Sequence, residues 1–296
     1  MTAVTLMAVG FMVLLMIINL RSVKESLMLN VVLTCIELSG LAIVILIGLW
    51  AATQGNADFS RTMIFETQGD KSIFLALTAV TSLAFFSFVG FEDSVNMVEE
   101  TKDPQKNFPR IMLIGLCITG AVYVLVSILA VAIVPIGVLG ESTTPLLEVV
   151  NAGAPGIPVG AIYPFLTIFA VANTALINML MASRLLYGLA RQRVLPHALG
   201  LVHHRSRTPW VAILFTTALA FGLIYFVVTR SDATAVSLLG GTTALLLLCV
   251  FTIVNIALLV LRKHRVEHEH FRTPRILPWI GAATCLFLAG PWARSA

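Results

Sequence analysis

Two adjacent carboxylates, Glu92 and Asp93, follow a glycine in the middle of a long apolar run. Gly90 costs a helix about 1 kcal/mol relative to alanine, and unwound backbone at membrane depth persists only beside a cavity. The spacing predicts a helix interrupted between Ser87 and Glu92, with both acids in the first turn of a second half-helix, where the macrodipole favours anions. The first half-helix would then end in free carbonyl groups able to hold a cation or an ammonium group.

The elements that must position these residues are membrane helices. The 296 residues are 58% hydrophobic and 11% charged, whereas a soluble domain carries about 25% charged residues. Apolar runs approach the ~20 residues that a spanning helix needs, and their length excludes the alternating strands of a β-barrel. We expect an all-α polytopic membrane protein with about eight spans, at residues 3–20, 31–50, 73–98 (interrupted), 111–135, 159–182, 211–228, 235–261 and 276–290.

The net charge of +4 indicates membrane topology rather than nucleic-acid binding, because the charges lie in the connections between apolar runs. Successive connections between spans lie on opposite sides of the membrane, and every Lys and Arg falls on one of these sides except Arg61, Lys71, Arg230 and Arg294. The positive-inside rule makes the richer side cytoplasmic, so the first span descends from outside a cell membrane. The cysteines lie inside apolar runs without a CxxC pair, which indicates packing rather than a disulfide or zinc framework.

No motif in the sequence predicts an enzyme. It contains no GxSxG, HExxH or Walker A motif, and no GxGxxG followed by an acid at the right distance. The histidines of residues 264–270 and 203–204 could suggest a metal, but they lie in charged connections without the helical HExxH order, which favours solvated loops. We therefore expect neither an organic cofactor nor a metal.

Three stretches in the right order carry a resemblance to amino acid permeases of the amino acid–polyamine–organocation superfamily. FFSFVGFE and the following EETKDPQKNFP resemble that family's sixth helix and its exit. Residues 19–30 are similar to the loop between its fourth and fifth helices, and RLLYGLAR resembles the end of its eighth helix, especially in cationic amino acid transporters. The first stretch is residues 85–92 followed by 99–109, the second is residues 19–30, and the third is residues 184–191 followed by Leu195-Pro196 and Arg207-Thr208-Pro209.

The resemblance implies one transmembrane domain over residues 1–296, part of a five-plus-five inverted-repeat transporter fold. Residues 1–50 would be the last two helices of the first repeat, 72–262 the second repeat and 276–291 the following helix. In this register the chain spans helices four to eleven. It would lack the last helix and helices one to three, including the other broken helix whose backbone amides hold the substrate carboxylate in the family.

The implied function is movement of an amino acid across the bilayer by alternating access, coupled to a proton or cation or run as exchange. The alternative is a truncated permease remnant that does not transport, or a membrane interaction subunit. The implied partners are an amino acid, a coupling proton or cation and the lipid bilayer. Under this register, the 296 residues reconstituted alone should show no uptake above empty liposomes.

The family match makes the interruption a candidate substrate site. Val89 and Gly90 would offer backbone groups to the α-ammonium of an amino acid, and Phe86 would close over it, with Ser87 between them. The alternative is a packed helix with a tolerated glycine. Glu92 is either a gate or coupling residue, or an acid that only satisfies the half-helix dipole.

Asparagines inside the spans are further candidates. Asn173 is assigned to the substrate site by its depth and family register, although such a side chain can equally bond a neighbouring helix. For Asn178 and Asn255 the sequence favours bonding between helices over lining a cavity.

Glu37 is the candidate coupling residue. It lies seven residues beyond Asn30, which is about 10 Å along the span. A carboxylate at that depth needs a partner or a proton. Many relatives of the family carry a lysine at the matching place, so the lysine's role does not transfer, but an acid could take up a proton or bind a cation directly. The alternative is that Glu37 pairs with a cytoplasmic Arg or Lys and anchors the helix.

Overall fold

The computed structural model describes residues 3–64, 72–142, 144–156, 161–204, 206–230, 234–263 and 271–293. Within these ranges the regular structure is helical throughout, and it contains no strand. The α-helices are α1 (Ala3–Arg21), α2 (Val23–Thr53), α3 (Ile73–Phe86), α4 (Pro104–Ile133), α5 (Ile136–Glu141), α6 (Pro145–Gly153), α7 (Tyr163–Arg191), α8 (Trp210–Arg230), α9 (Thr234–Leu261) and α10 (Leu277–Leu288).

Among the residues that the structure describes, six helical segments are long and apolar enough to cross a bilayer, and α1 and α10 are shorter apolar helices. Each of the eight predicted spans therefore corresponds to a helix, and the prediction of an all-α polytopic membrane protein is confirmed. The structure differs from the prediction in the following features. The short helices α5 and α6 follow α4, and α2 and α4 begin at Val23 and Pro104 rather than near residues 31 and 111. A proline suits a first helical position because its missing N–H would have no partner there.

The helices divide into two compact units, Met1–Ile64 with Cys117–Phe226, and Phe65–Leu116 with Val227–Ala296. In the first unit, α1 joins α2 through Ser22 alone, whose extended backbone (φ −167°, ψ 140°) ends one helix and starts the next. Helix α2 packs along α7, and α1 contacts both. The first two spans are therefore neighbours.

Two apolar clusters form the core of the first unit. One joins α2, α4, α6 and the start of α7, and the other joins α1, α2, α7 and α8. Close approach depends on glycine at two places. A Cβ on Gly48 would lie 3.0 Å from Leu129, and one on Gly153 would lie 2.7 Å from Ile47. Because these glycines have no side chain, the backbone of α2 at Gly48 can contact Leu129 of α4, and the backbone of α6 at Gly153 can contact Ile47 of α2.

The second unit is built around α9, which packs against α10 and α3. Asn255 on α9 donates its Nδ2 to the Phe251 carbonyl at 2.8 Å. Its Oδ1 fills the space over Gly281 of α10, where a Cβ would lie only 2.7 Å away. The side chain therefore has a packing role between helices.

Candidate functional site

Helix α3 ends at Phe86 in a series of tight turns. The N–H groups of Ser87 and Phe88 donate to the carbonyls of Ala84 and Phe85, each at 3.0 Å, and Val89 donates to Phe86 at 3.1 Å. These turns lead to Gly90, whose φ of +118° is a backbone conformation that side chains with a Cβ rarely adopt. The predicted interruption between Ser87 and Glu92 is confirmed, and we call residues 86–92 the α3 bend.

One detail of the prediction is wrong. The carbonyls of Ala84, Phe85 and Phe86 are not free, because the three tight turns use them. The Gly90 carbonyl likewise accepts the Asp93 N–H at 3.2 Å. A carbonyl oxygen has two lone pairs, so each of these oxygens keeps one lone pair that can accept a hydrogen bond from a ligand. The last carbonyls of α3 are thus partly used acceptors rather than free ones.

The chain continues from the α3 bend as a 3-10 helix over Phe91–Glu100, with Glu92 and Asp93 in its first turn. The Glu92 carboxylate turns back on the bend, where its Oε2 accepts the Gly90 N–H at 2.8 Å. Ser94 adds a second local bond from its hydroxyl to the Phe91 carbonyl at 2.6 Å. Glu92 therefore stabilises the conformation of the bend itself.

Aromatic rings attach the α3 bend to α9. Phe251 meets Phe85 edge-on, with ring centroids 5.8 Å apart, and Phe91 at 5.6 Å. The Phe86 ring is 41% exposed and lies over Gly240, also on α9. The sequence did not identify Phe251 or Gly240 as site residues. Gly240 could have been identified from the sequence, because the pair Gly240-Gly241 lies inside an apolar run.

The first unit contains a separate polar cluster that links α7 to α2. Asn173, only 7% exposed, donates its Nδ2 to the Thr34 hydroxyl and to Glu37 Oε2, each at 3.0 Å. The Thr34 hydroxyl in turn donates a hydrogen bond to the Asn30 carbonyl at 2.8 Å. We call Asn173, Thr34 and Glu37 the Asn173 cluster. It brings together two residues that the sequence selected separately, and adds Thr34, which lies one turn before Glu37.

The Asn173 cluster is incompletely satisfied. Asn173 Oδ1 is buried and has no hydrogen-bond partner among the described residues. Glu37 has the partner that its depth demands, but this partner is an amide rather than a cytoplasmic cation. Two ion pairs in the described part of the chain, Arg21 with Glu25 and Arg61 with Asp58, do not involve Glu37. Tyr123 of α4 lies within electrostatic range of Glu37.

The remaining sequence candidates carry no site. Asn178 is exposed on α7, and Asn255 packs between α9 and α10. The histidines of residues 264–270 lie outside the described residues. Among the residues that the structure describes, no group of three His, Cys, Asp or Glu side chains could hold a metal ion.

An apolar helix that breaks at a positive-φ glycine beside acids is the device of secondary transporters. Comparison with known families agrees, because the sequence pattern of the amino acid permease family matches residues 2–292. The chain belongs to the amino acid permease family. The permease chain is accordingly a multi-pass membrane protein, and the similar proteins reported below are transporters, not enzymes.

The permease chain is 30% identical to the methylthioribose transporter of Bacillus subtilis over 274 residues, which is 90% of the chain and 55% of that protein. It is 25% identical to the branched-chain amino acid permease of the same species, covering 71% of the chain and 44% of the relative. The D-serine/D-alanine/glycine transporter of Escherichia coli K12 is 29% identical, with 70% and 45% covered. The permease chain thus spans about half the length of these relatives.

Proposed function

We propose that this chain acts in a permease that moves an amino acid across the membrane by alternating access. The observation that supports the proposal best is the α3 bend, where Gly90 at φ +118° interrupts an otherwise apolar helix. Irregular backbone of this kind at membrane depth is tolerated only beside protein or a water-filled cavity. A second supporting observation is the identity to transporters of amino acids and related solutes.

In this proposal the α3 bend binds the amino acid through its backbone. Val89 and Gly90 present carbonyl lone pairs to the α-ammonium, and the exposed Phe86 ring covers the bound molecule. Ser87 lies in the same turn. Glu92 keeps the Gly90 peptide in place through its 2.8 Å bond, so its carboxylate supports the site without having to contact the substrate.

The direct test is uptake by the full product of the gene, expressed in a bacterium that lacks its own amino acid uptake. We expect saturable accumulation of at least one labelled amino acid, and competition by the other amino acids identifies the substrate class. The motif at residues 184–191 supports a cationic substrate, in which case lysine and arginine compete better than neutral amino acids. If no amino acid is taken up by well-expressed protein, the proposal is wrong.

We also propose that Glu37 is the coupling carboxylate. While Glu37 is ionised, it accepts from Asn173 Nδ2. Once protonated, its O–H needs an acceptor, and a rotated Asn173 amide supplies the Oδ1 that otherwise has no partner. A cation could instead be held by the oxygens of Glu37, Thr34 and Asn173, which are hard ligands. Either event changes the bond between α2 and α7.

The coupling proposal is tested with Glu37→Gln in proteoliposomes that carry an imposed pH or sodium gradient. Glutamine keeps the acceptor oxygen but cannot change charge, so we expect exchange of internal for external substrate to persist and gradient-driven accumulation to be lost. Glu25→Gln is the matched control, because Glu25 is an exposed acid on the same helix. Full accumulation by Glu37→Gln would restrict Glu37 to a structural role.

A further inference from the structure

Gly240 of α9 lies beside the Phe86 ring in the second unit. A Cβ placed on Gly240 would have three atoms of the Phe86 ring as its nearest neighbours, at 3.7, 3.8 and 4.0 Å. These are ordinary van der Waals separations, so a methyl group would fit without moving the ring. At present that methyl-sized space below the ring is not filled by a side chain.

Two rings next to Phe86 are held by aromatic contacts with α9. Phe85 and Phe91 both pack on Phe251, with ring centroids 5.8 and 5.6 Å from it, and this fixes the backbone on both sides of Gly90. Phe86 is 41% exposed and faces a glycine. Its ring is therefore the part of the bend that has space on the α9 side to withdraw into.

We propose that Gly240 determines the largest substrate side chain the permease accepts, because its missing Cβ leaves the space into which the Phe86 ring withdraws. The inference rests on the proposed function of the α3 bend and adds a size limit to it. A small substrate leaves the ring where it is. A large aliphatic or aromatic side chain pushes the ring towards α9, and any side chain at position 240 blocks this movement.

The neighbouring glycine provides a matched control. Gly241 is also in α9, but a Cβ on it would have nothing within 4 Å. The substitutions Gly240→Ala and Gly241→Ala therefore change helix propensity equally and differ only in what the methyl group meets. A mere packing role for Gly240 would alter stability or overall transport, whereas a size limit alters the ratio between large and small substrates.

The experiment measures inhibition of labelled substrate uptake by alanine, leucine and phenylalanine, using the full gene product in proteoliposomes. For Gly240→Ala we expect the affinity for leucine and phenylalanine to fall about ten-fold or more relative to alanine, the size of effect that one methyl group produces in a pocket. Gly241→Ala should leave this ratio within about two-fold of the parent. Phe86→Leu combined with Gly240→Ala should restore the larger substrates, because leucine needs less room.

Three results would overturn the inference. Equal ratios in Gly240→Ala and the parent would show that the ring does not withdraw towards α9, and so would a double variant that fails to recover. Loss of folded Gly240→Ala protein would show that the space below the ring is not there. A parent that takes up no amino acid would instead refute the proposed function itself, and this inference with it.

Discussion

Asn173 carries the polar contact between α7 and α2. Its amide supplies a donor to the Glu37 carboxylate and to the Thr34 hydroxyl. The sequence predicted both residues as candidates but not their pairing, because 136 residues separate them and a hydropathy pattern contains no information about which helices touch. Thr34 could have been found, since it lies on the same helical face as Glu37, one turn earlier.

Replacing Asn173 with alanine should destabilise the protein. Glu37 would lose its amide donor at depth, and a buried polar group left without a partner costs about 1–3 kcal/mol. We expect Asn173→Ala to lower the midpoint of thermal unfolding in detergent by several degrees. When Glu37→Gln is already present, the same substitution should lower the midpoint by less. Asn178→Ala on the exposed side of α7 is the control and should change little. Equal effects of the two substitutions would argue against the Asn173 cluster.

Element positions were predictable where bilayer thickness sets helix length. The eight spans follow from apolar runs alone. Helices α5 and α6 were not predicted, because nine residues or fewer give too short a pattern. The interruption after Phe86 could be placed from Gly90 and the two acids, but nothing in those residues specified a 3-10 helix for the second half. Gly48 and Gly153, at which helices approach closely, could not be identified from the sequence for the same reason as the pairing of Asn173. The residues that they contact lie on other helices.

Helix packing in the first unit predicts unequal effects for two glycines. In Gly153→Ala the new methyl group would lie 2.7 Å from the buried Ile47 side chain, so this side chain or the two helices α6 and α2 must shift. Overpacking of this kind costs about 1–3 kcal/mol. Gly137→Ala on α5 meets open space and should be neutral or stabilising, because alanine favours a helix by about 1 kcal/mol. The measurement is thermal unfolding of both purified variants. If Gly153→Ala unfolds at the parental temperature, the close contact between Gly153 and Ile47 does not limit packing as we describe.

For the whole molecule, family membership places the chain among membrane transporters, and the α3 bend connects that membership to a mechanism. The candidate substrate residues belong to two units. Phe86, Ser87, Val89, Gly90 and Glu92 form the α3 bend in one, and Asn173 joins Glu37 in the other. The sequence could rank these residues by type and depth. It could not show that Glu92 turns back on Gly90 or that Asn173 bonds Glu37, because both depend on side-chain direction in the folded chain.

The account depends most on the conformation of Gly90. Alanine at φ +118° is strained by about 1–3 kcal/mol and should force the α3 bend into another conformation. Gly115→Ala in α4 is the matched control, because a Cβ there meets nothing within 4 Å and its φ is not positive.

The deciding measurement is the initial rate of labelled amino acid uptake into proteoliposomes containing equal amounts of folded parent, Gly90→Ala or Gly115→Ala full gene product. We predict that Gly115→Ala transports at the parental rate and that Gly90→Ala is slower by about ten-fold or more, in proportion to the strain. Parental transport by the Gly90→Ala variant would contradict the claim that the interrupted helix is the substrate site.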